Sequence, residues 1–424
     1  MPMQPDPFIL ETDTTSPLVN LHLWFAAGPP LDPPGQAGLS ALMIRALIRG
    51  TKRRDRRAIE EAAEALGSEL TTSTQRTAVG IGGSLLARHL DRFVDVLAEV
   101  ATEPAFLEDE VDRTRRELDA ELDALVDDDG ALAQRWFRRT LFADTPFAHG
   151  TNGYKDSLAR ITTEDVKAWH QRTFCRAGLT VGASGPLDHT ALTRVLAPIL
   201  DRLPLGTPVD WALPEPPAVT PRIVVVDKPN RGQTQILTGH PTVHARHEDH
   251  LALSLATSAF GGTFTARLMQ EVRVKRGLSY GAYAQLSGDR AGAHYALSAA
   301  PEAKDAVLTL ELLHSEYRRF VHEGLTDAEI EFAREHLIAS FAFSIETPAL
   351  VAGQRVRARL LGRPDDHLAT WRTRMAALTP DDVRAAVRRH LDPDRLCAVL
   401  VGDGATLAPA LAPLGLPVSV QDPA

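Results

Sequence analysis

"ITTEDVKAWHQRTF" (161–174) returns as "LTPDDVRAAVRRHL" (378–391), 217 residues further on. Each copy opens on a threonine that can cap a helix. Apolar residues then follow at helical spacing: Val166 and Trp169 in the first, Val383 and Val387 in the second. A short apolar strand comes next in both, "LTVGASG" ending at Gly185 and "LCAVLVGDG" reaching Gly402, and these glycines are again 217 apart. The same offset aligns "TAVGIGGSLLARHLDRFVDVL" (77–97) with "HYALSAAPEAKDAVLTLELL" (294–313), a strand running into a helix. "EDEVDRTRRELDAEL" (108–122) pairs with "TDAEIEFAREHLIASF" (326–341) after a shift of two residues. Several matches in one order at nearly one offset identify a duplicated chain.

Between the copies lies "LPLGTPVDWALPEPPAVTPR" (203–222), rich in proline and without periodicity, which predicts an extended linker over 206–221. The expected domains are therefore 1–205 and 222–424. Strands are predicted near 18–26, 69–82 and 179–184. In the second half they fall near 222–227, 234–239, 280–286, 294–299 and 396–401. Long helices separate them. The expected class is α+β: two homologous domains, each a largely antiparallel sheet with helices packed on one side, facing each other across a cleft.

Composition narrows the function. The 424 residues carry a net charge of −9 without a basic tail, which argues against a nucleic-acid partner. The two cysteines, Cys175 and Cys397, sit in separate apolar runs and read as buried thiols. "MPMQPDPFILETDTT" (1–15) lacks both a basic start and an apolar run, so no export signal is predicted and a cytoplasmic protein is expected. No stretch is long and apolar enough to suggest a membrane span. G-x-S-x-G elbows, P-loops and dinucleotide fingerprints are missing from the sequence, which leaves serine hydrolase, NTPase and dehydrogenase readings without support.

"GPPLDPPGQAGLSALMIRALIRGT" (28–51) resembles the N-terminal signature of the pitrilysin/insulinase family of zinc metallopeptidases, which includes the processing peptidases. Gly38, Leu39, Gly50 and Thr51 keep the frame. By that resemblance the first zinc histidine falls on Ala41, the catalytic glutamate on Ile44, the second histidine on Arg45 and the third ligand on Glu121. "FGGTFTARLMQEVRVKRGLSYGAYAQ" (260–285) is similar to the family's C-terminal signature, so the likeness spans both halves.

An inverted H-x-x-E-H motif sets two imidazoles one helical turn apart on one zinc ion, with a glutamate to take a proton from the bound water. Alanine and isoleucine offer no donor, and a guanidinium repels a dication. The frame therefore survives with its metal site erased, and no metal or cofactor is expected in this chain. The plainer reading of Glu121 is a solvated helix residue; the sharper one is a charge swap in which it pairs with Arg45.

The second signature keeps the residues that, in the family, reach the substrate: an arginine and a tyrosine seven apart, matching Arg273 and Tyr280. A tyrosine hydroxyl can donate to a developing oxyanion, and an arginine can grip a peptide carbonyl. Gly261 and Gly262 predict a tight turn before a helix starting near Thr265. The resemblance thus implies the non-catalytic subunit of a heterodimeric zinc endopeptidase. Its partner would be a homologous subunit bearing Zn²⁺, its substrate an unfolded peptide lying along a sheet edge near 69–77. The alternative is a structural or binding protein, because the core subunits of respiratory complexes resemble this family without proteolysis. A third reading, a self-sufficient peptidase with a displaced metal at His244, His247 and His250 ("HARHEDH", 244–250), lacks a base beside those histidines. They read more simply as a solvated first helical turn. "GTKRRDRR" (50–57) and "LVDDDGA" (125–131) read as exposed helix ends.

Overall fold

The computed structural model describes residues 6–209 and 218–423. Half of the expected linker, residues 210–217, lies outside the described residues. Eleven strands build two sheets: β1 (Phe8–Thr12), β2 (Leu18–Phe25), β3 (Thr71–Thr74), β4 (Val79–Leu86) and β5 (Leu179–Gly185) in one. The other holds β6 (Ile223–Asp227), β7 (Gln235–Pro241), β8 (Ser279–Leu286), β9 (His294–Pro301), β10 (Cys397–Gly402) and β11 (Val418–Gln421).

The orders are β1-β5-β2-β4-β3 and β11-β6-β10-β7-β9-β8. Without β11, the second order repeats the first strand for strand. In each, one parallel pair (β1 with β5, β6 with β10) is followed by antiparallel neighbours. The duplication is thus a repeat of topology as well as of letters. The repeated capping boxes form as the sequence predicts: Thr162 with Asp165 before helix Thr163–Thr173, and Thr379 with Asp382 before helix Pro380–His390. The predicted strand over 69–82 is a hairpin, β3 and β4, because Gln75–Ala78 turns the chain back on itself.

The chain folds as two compact units whose limits cut across the repeat boundary. One comprises residues as far as Leu122, from His149 to the linker, and Phe343–Leu368; the other comprises Asp123–Ala148 and the remainder of the second half. Each half lends the other's unit one helix: Asp129–Leu141 goes to the second sheet and Pro348–Leu360 to the first.

The physical cause is visible in the strands. Val181 and Ala183 of β5 join the main core of their unit, while a Cβ on Gly182 would meet Val356 of the lent helix at 2.6 Å. In β10, Ala398 and Leu400 face one core, and Cys397, Val399 and Val401 face a second core with Leu132, Trp136 and Phe137. Strands apolar on both faces need cover on both. Most helices therefore lie on one face, and a single lent helix seals the other, which the expectation of one-sided packing lacks. Both cysteines are free and buried. Among the described residues no single helix is long and apolar enough to cross a membrane.

Candidate functional site

The first candidate position lies on helix Leu39–Ala46. Its start is held by Asp32, which accepts from Gly38 N (2.9 Å), Ser40 N (3.1 Å) and Ser40 Oγ (2.5 Å). Burial pushes the Asp32 carboxyl up to about 6 despite these bonds. Gly38 takes φ +97°, and a Cβ there would crowd Asn152 O at 2.9 Å, so the turn demands glycine.

Along this helix Ala41 and Ile44 are wholly buried in the apolar core. Arg45 reaches out to helix Glu108–Asp127 and bonds Glu121 at 2.5 Å, Nη1 to Oε1. Asn152 Nδ2 donates to the other oxygen, Oε2, at 3.0 Å. One turn on, Arg49 and Glu117 repeat the ion pair at 2.5 Å. Two of the four positions have no donor atom, a third is a cation, and the remaining carboxylate has both oxygens engaged. The residues present do not fit a zinc ion there. Glu121 remains about half exposed at 47%, so it combines the solvated reading with the charge swap. Asn152, which sequence reasoning missed, sits in a turn with no pattern that marks it.

The second candidate group lies in the other unit. Arg273 lies in a turn of π-helix, Gln270–Val274, that continues helix Arg267–Met269, and Tyr280 is the second residue of β8. This helix begins at Arg267, later than the Thr265 expected, because Ser258–Gly262 forms its own π-helical turn before it. A Cβ on Gly261 would lie 2.7 Å from Ala284 N of β8, so the glycine permits close approach of two backbones.

Neighbouring signature residues are spent on structure. Arg267 grips Glu329 with two bonds (2.7 and 2.6 Å), and Glu271 receives Lys275 (2.6 Å) and Arg276 (2.7 Å). Arg273 differs. Its guanidinium lies between the rings of Phe264 and Tyr280, 4.4 Å from each centroid. No described residue forms an ion pair with it, and its Nη1 is buried without a hydrogen-bond partner. Tyr280 is 82% exposed and Phe264 56%. Tyr280 is open to an incoming group, and the cation beside it has Nη1 unspent. Phe264 was missed as a partner, although it stands inside the same signature.

Of the three spaced histidines, His250 is buried, with Nε2 3.4 Å from Ser287 O and its backbone carbonyl bonded by Ser254, so the solvated-turn expectation fails for it. The basic run is largely consumed in ion pairs: Arg54 with Glu99, Arg56 with Glu60 and Arg57 with Glu61. In the acidic run, Asp129 pairs with Lys228 (3.4 Å) and Arg231 (3.2 Å). Strand β3 is the terminal strand of its sheet, with an unpaired edge.

Residues 8–153 match the family described as insulinase (peptidase family M16), and residues 160–337 match the peptidase M16 inactive domain. An uncharacterized zinc protease of Streptomyces coelicolor is 24% identical over 86% of this chain and 81% of its own length. The non-peptidase homolog YmxG of Helicobacter pylori is 25% identical over 94% of this chain and 92% of its own. Among solved structures, a peptidase M16 inactive domain from Pseudomonas fluorescens superposes with a TM-score of 0.87 at 24% identity, covering 93% of this chain and 95% of that one. A chain of Complex III2 from Candida albicans gives 0.77 at 16% identity, covering 93% of each.

Proposed function

The chain belongs to the M16 peptidase family, and from that premise we propose that it is the non-catalytic subunit of a two-subunit zinc endopeptidase. The observation that carries this reading is a contrast within one chain. The positions for zinc and its base are closed by Ala41, Ile44 and the Arg45–Glu121 pair, whereas Tyr280 is exposed and the half-buried Arg273 keeps Nη1 without a partner. The name of the Helicobacter relative, a non-peptidase homolog, supports it.

In this reading the partner supplies Zn²⁺, its ligands and the general base. This chain supplies Arg273 to hold a peptide carbonyl and Tyr280 to donate a hydrogen bond to the oxygen that becomes negative. Phe264 and Tyr280 hold the guanidinium by cation–π contact. An extended peptide adds main-chain bonds along a sheet edge, for which β3 is suited.

The test is reconstitution. The chain alone should cleave no peptide. Mixed with a homologous subunit that carries an intact H-x-x-E-H, it should co-purify and raise that subunit's peptidase activity. Full activity of the partner alone, or no association, overturns the proposal.

A second reading, a structural subunit without proteolytic role, draws on the Complex III2 chain of the same fold. It gains if the complex forms but is indifferent to changes at Arg273 and Tyr280.

A further inference from the structure

His247 and Asp249 lie in the turn that leads into helix His250–Thr257, a turn closed by His247 N to His244 O and His250 N to His247 O, both 3.0 Å. His390 is the last residue of helix Pro380–His390, which packs against helix His250–Thr257. Folding therefore brings together two segments about 140 residues apart, a grouping that the sequence alone does not display. His390 Nε2 lies 2.7 Å from Asp249 Oδ2, and His247 Nδ1 lies 4.0 Å from the same oxygen. The imidazole rings meet edge to face with centroids 4.7 Å apart. One donor atom from each of the three residues lies within 4.8 Å of the others.

We infer that His247, Asp249 and His390 form a binding site for a divalent transition metal of the Zn²⁺ type, separate from the closed position at Ala41–Arg45. Two imidazoles and one carboxylate are a donor set that zinc accepts, with water completing the tetrahedron. With bonds of about 2.1 Å, tetrahedral ligands stand about 3.4 Å apart. The observed separations bracket that distance, and modest rotation of the partly exposed side chains closes the set.

Outer contacts favour the same use. Arg389 donates to Asp249 Oδ1 at 3.2 Å, which turns Oδ2 toward the imidazoles. The Asp249 N–H donates to His247 Nδ1 at 3.1 Å, so this nitrogen carries no proton, and an ion bound there displaces that hydrogen bond. The carbonyl end of helix Pro380–His390 also favours a cation. The ion replaces the proton shared by His390 and Asp249, releases it to solvent, and clips the end of one helix to the start of another. The role assigned to the ion is binding and stabilisation.

The experiment uses the full chain without an added histidine tag. It is titrated with Zn²⁺ by calorimetry and with Co²⁺ by visible absorption. One ion per chain is expected, with a Zn²⁺-dependent rise in Tm. His390→Gln and His247→Gln should each weaken binding by about two orders of magnitude or more, and Arg389→Ala by about 10- to 100-fold. Circular dichroism without metal checks that each variant is folded; His247, the most exposed of the three at 32%, is the safer substitution. No binding by the wild type, or wild-type binding by the two histidine variants, overturns the inference. Zn²⁺ binding lost instead in Glu121→Gln also overturns it, and would count against the proposed function as well. Failure of reconstitution alone leaves this site untouched.

Discussion

Arg45 and Glu121 meet at 2.5 Å across two helices, at the positions that the resemblance of the N-terminal signature assigns to a histidine and its partner ligand. The pair is half open to water, with side chains 28% and 47% exposed, so solvent screens it. A double-mutant cycle with Arg45→Ala and Glu121→Ala should return a coupling of about 0.2–1 kcal/mol. A coupling of several kcal/mol would mark the pair as a buried clamp instead. Raising the salt concentration should shrink the coupling.

At the other candidate group the cost falls on turnover. Arg273→Ala or Tyr280→Phe should lower kcat/KM of the reconstituted complex by about 10²-fold, the scale of losing one oxyanion donor. Arg273→Lys should not rescue, because a compact ammonium lacks the planar, multi-donor group that contacts both the Phe264 and Tyr280 rings. Phe264→Ala should cost less than Arg273→Ala, since the ring positions the cation without replacing its donors. Native gels of each complex should show unchanged assembly. Unchanged kinetics across the set would leave only a structural role.

Much of this was legible in the letters. The duplication, its offset and both capping boxes follow from short-range chemistry, in which a threonine and an acid three residues apart speak for themselves. That Ala41 and Ile44 offer neither a zinc donor nor a base, and Arg45 only a cation, is likewise a matter of residue type. Contacts made by folding were hidden. Nothing near His247 announces His390, nothing near Glu121 announces Asn152, and an apolar helix does not declare which sheet it will cover. Strands β1 and β11 were missed because an edge strand of four or five partly polar residues has too little alternation to read.

The lent helix Asp129–Leu141 should be indispensable to the sheet it covers. Phe137 is fully buried in the core shared with Val399 and Val401, so Phe137→Ala should destabilise by about 3–5 kcal/mol. On the reciprocal helix Leu350 is 43% exposed, and Leu350→Ala should fall within about 0.5 kcal/mol of the parent. Urea midpoints measured side by side decide the matter. Equal effects would mean that these helices are surface additions.

Acid should weaken the fold between about pH 6.5 and pH 4. Burial pushes the imidazoles of His170, His240 and His314 down to about 4 each. They are kept as neutral hydrogen-bonding partners: His170 to Ala101 O at 3.0 Å, His240 to the Tyr317 hydroxyl at 2.6 Å, His314 to Thr238 Oγ1 at 2.8 Å. An unfolded chain protonates these imidazoles near 6.5, before the folded one does. Stability from them is therefore complete above about 6.5 and is lost as pH falls toward 4, at about 1.4 kcal/mol per unit for each residue. Asp32, raised to about 6, works in the opposite sense: the folded chain takes its proton first as pH falls, which offsets part of the loss. Three groups against one leave a net fall. Tm at pH 5 should lie below Tm at pH 7.5, and His314→Gln should reduce the difference. A Tm that is flat or higher at pH 5 would mean that these histidines are charged in the folded chain.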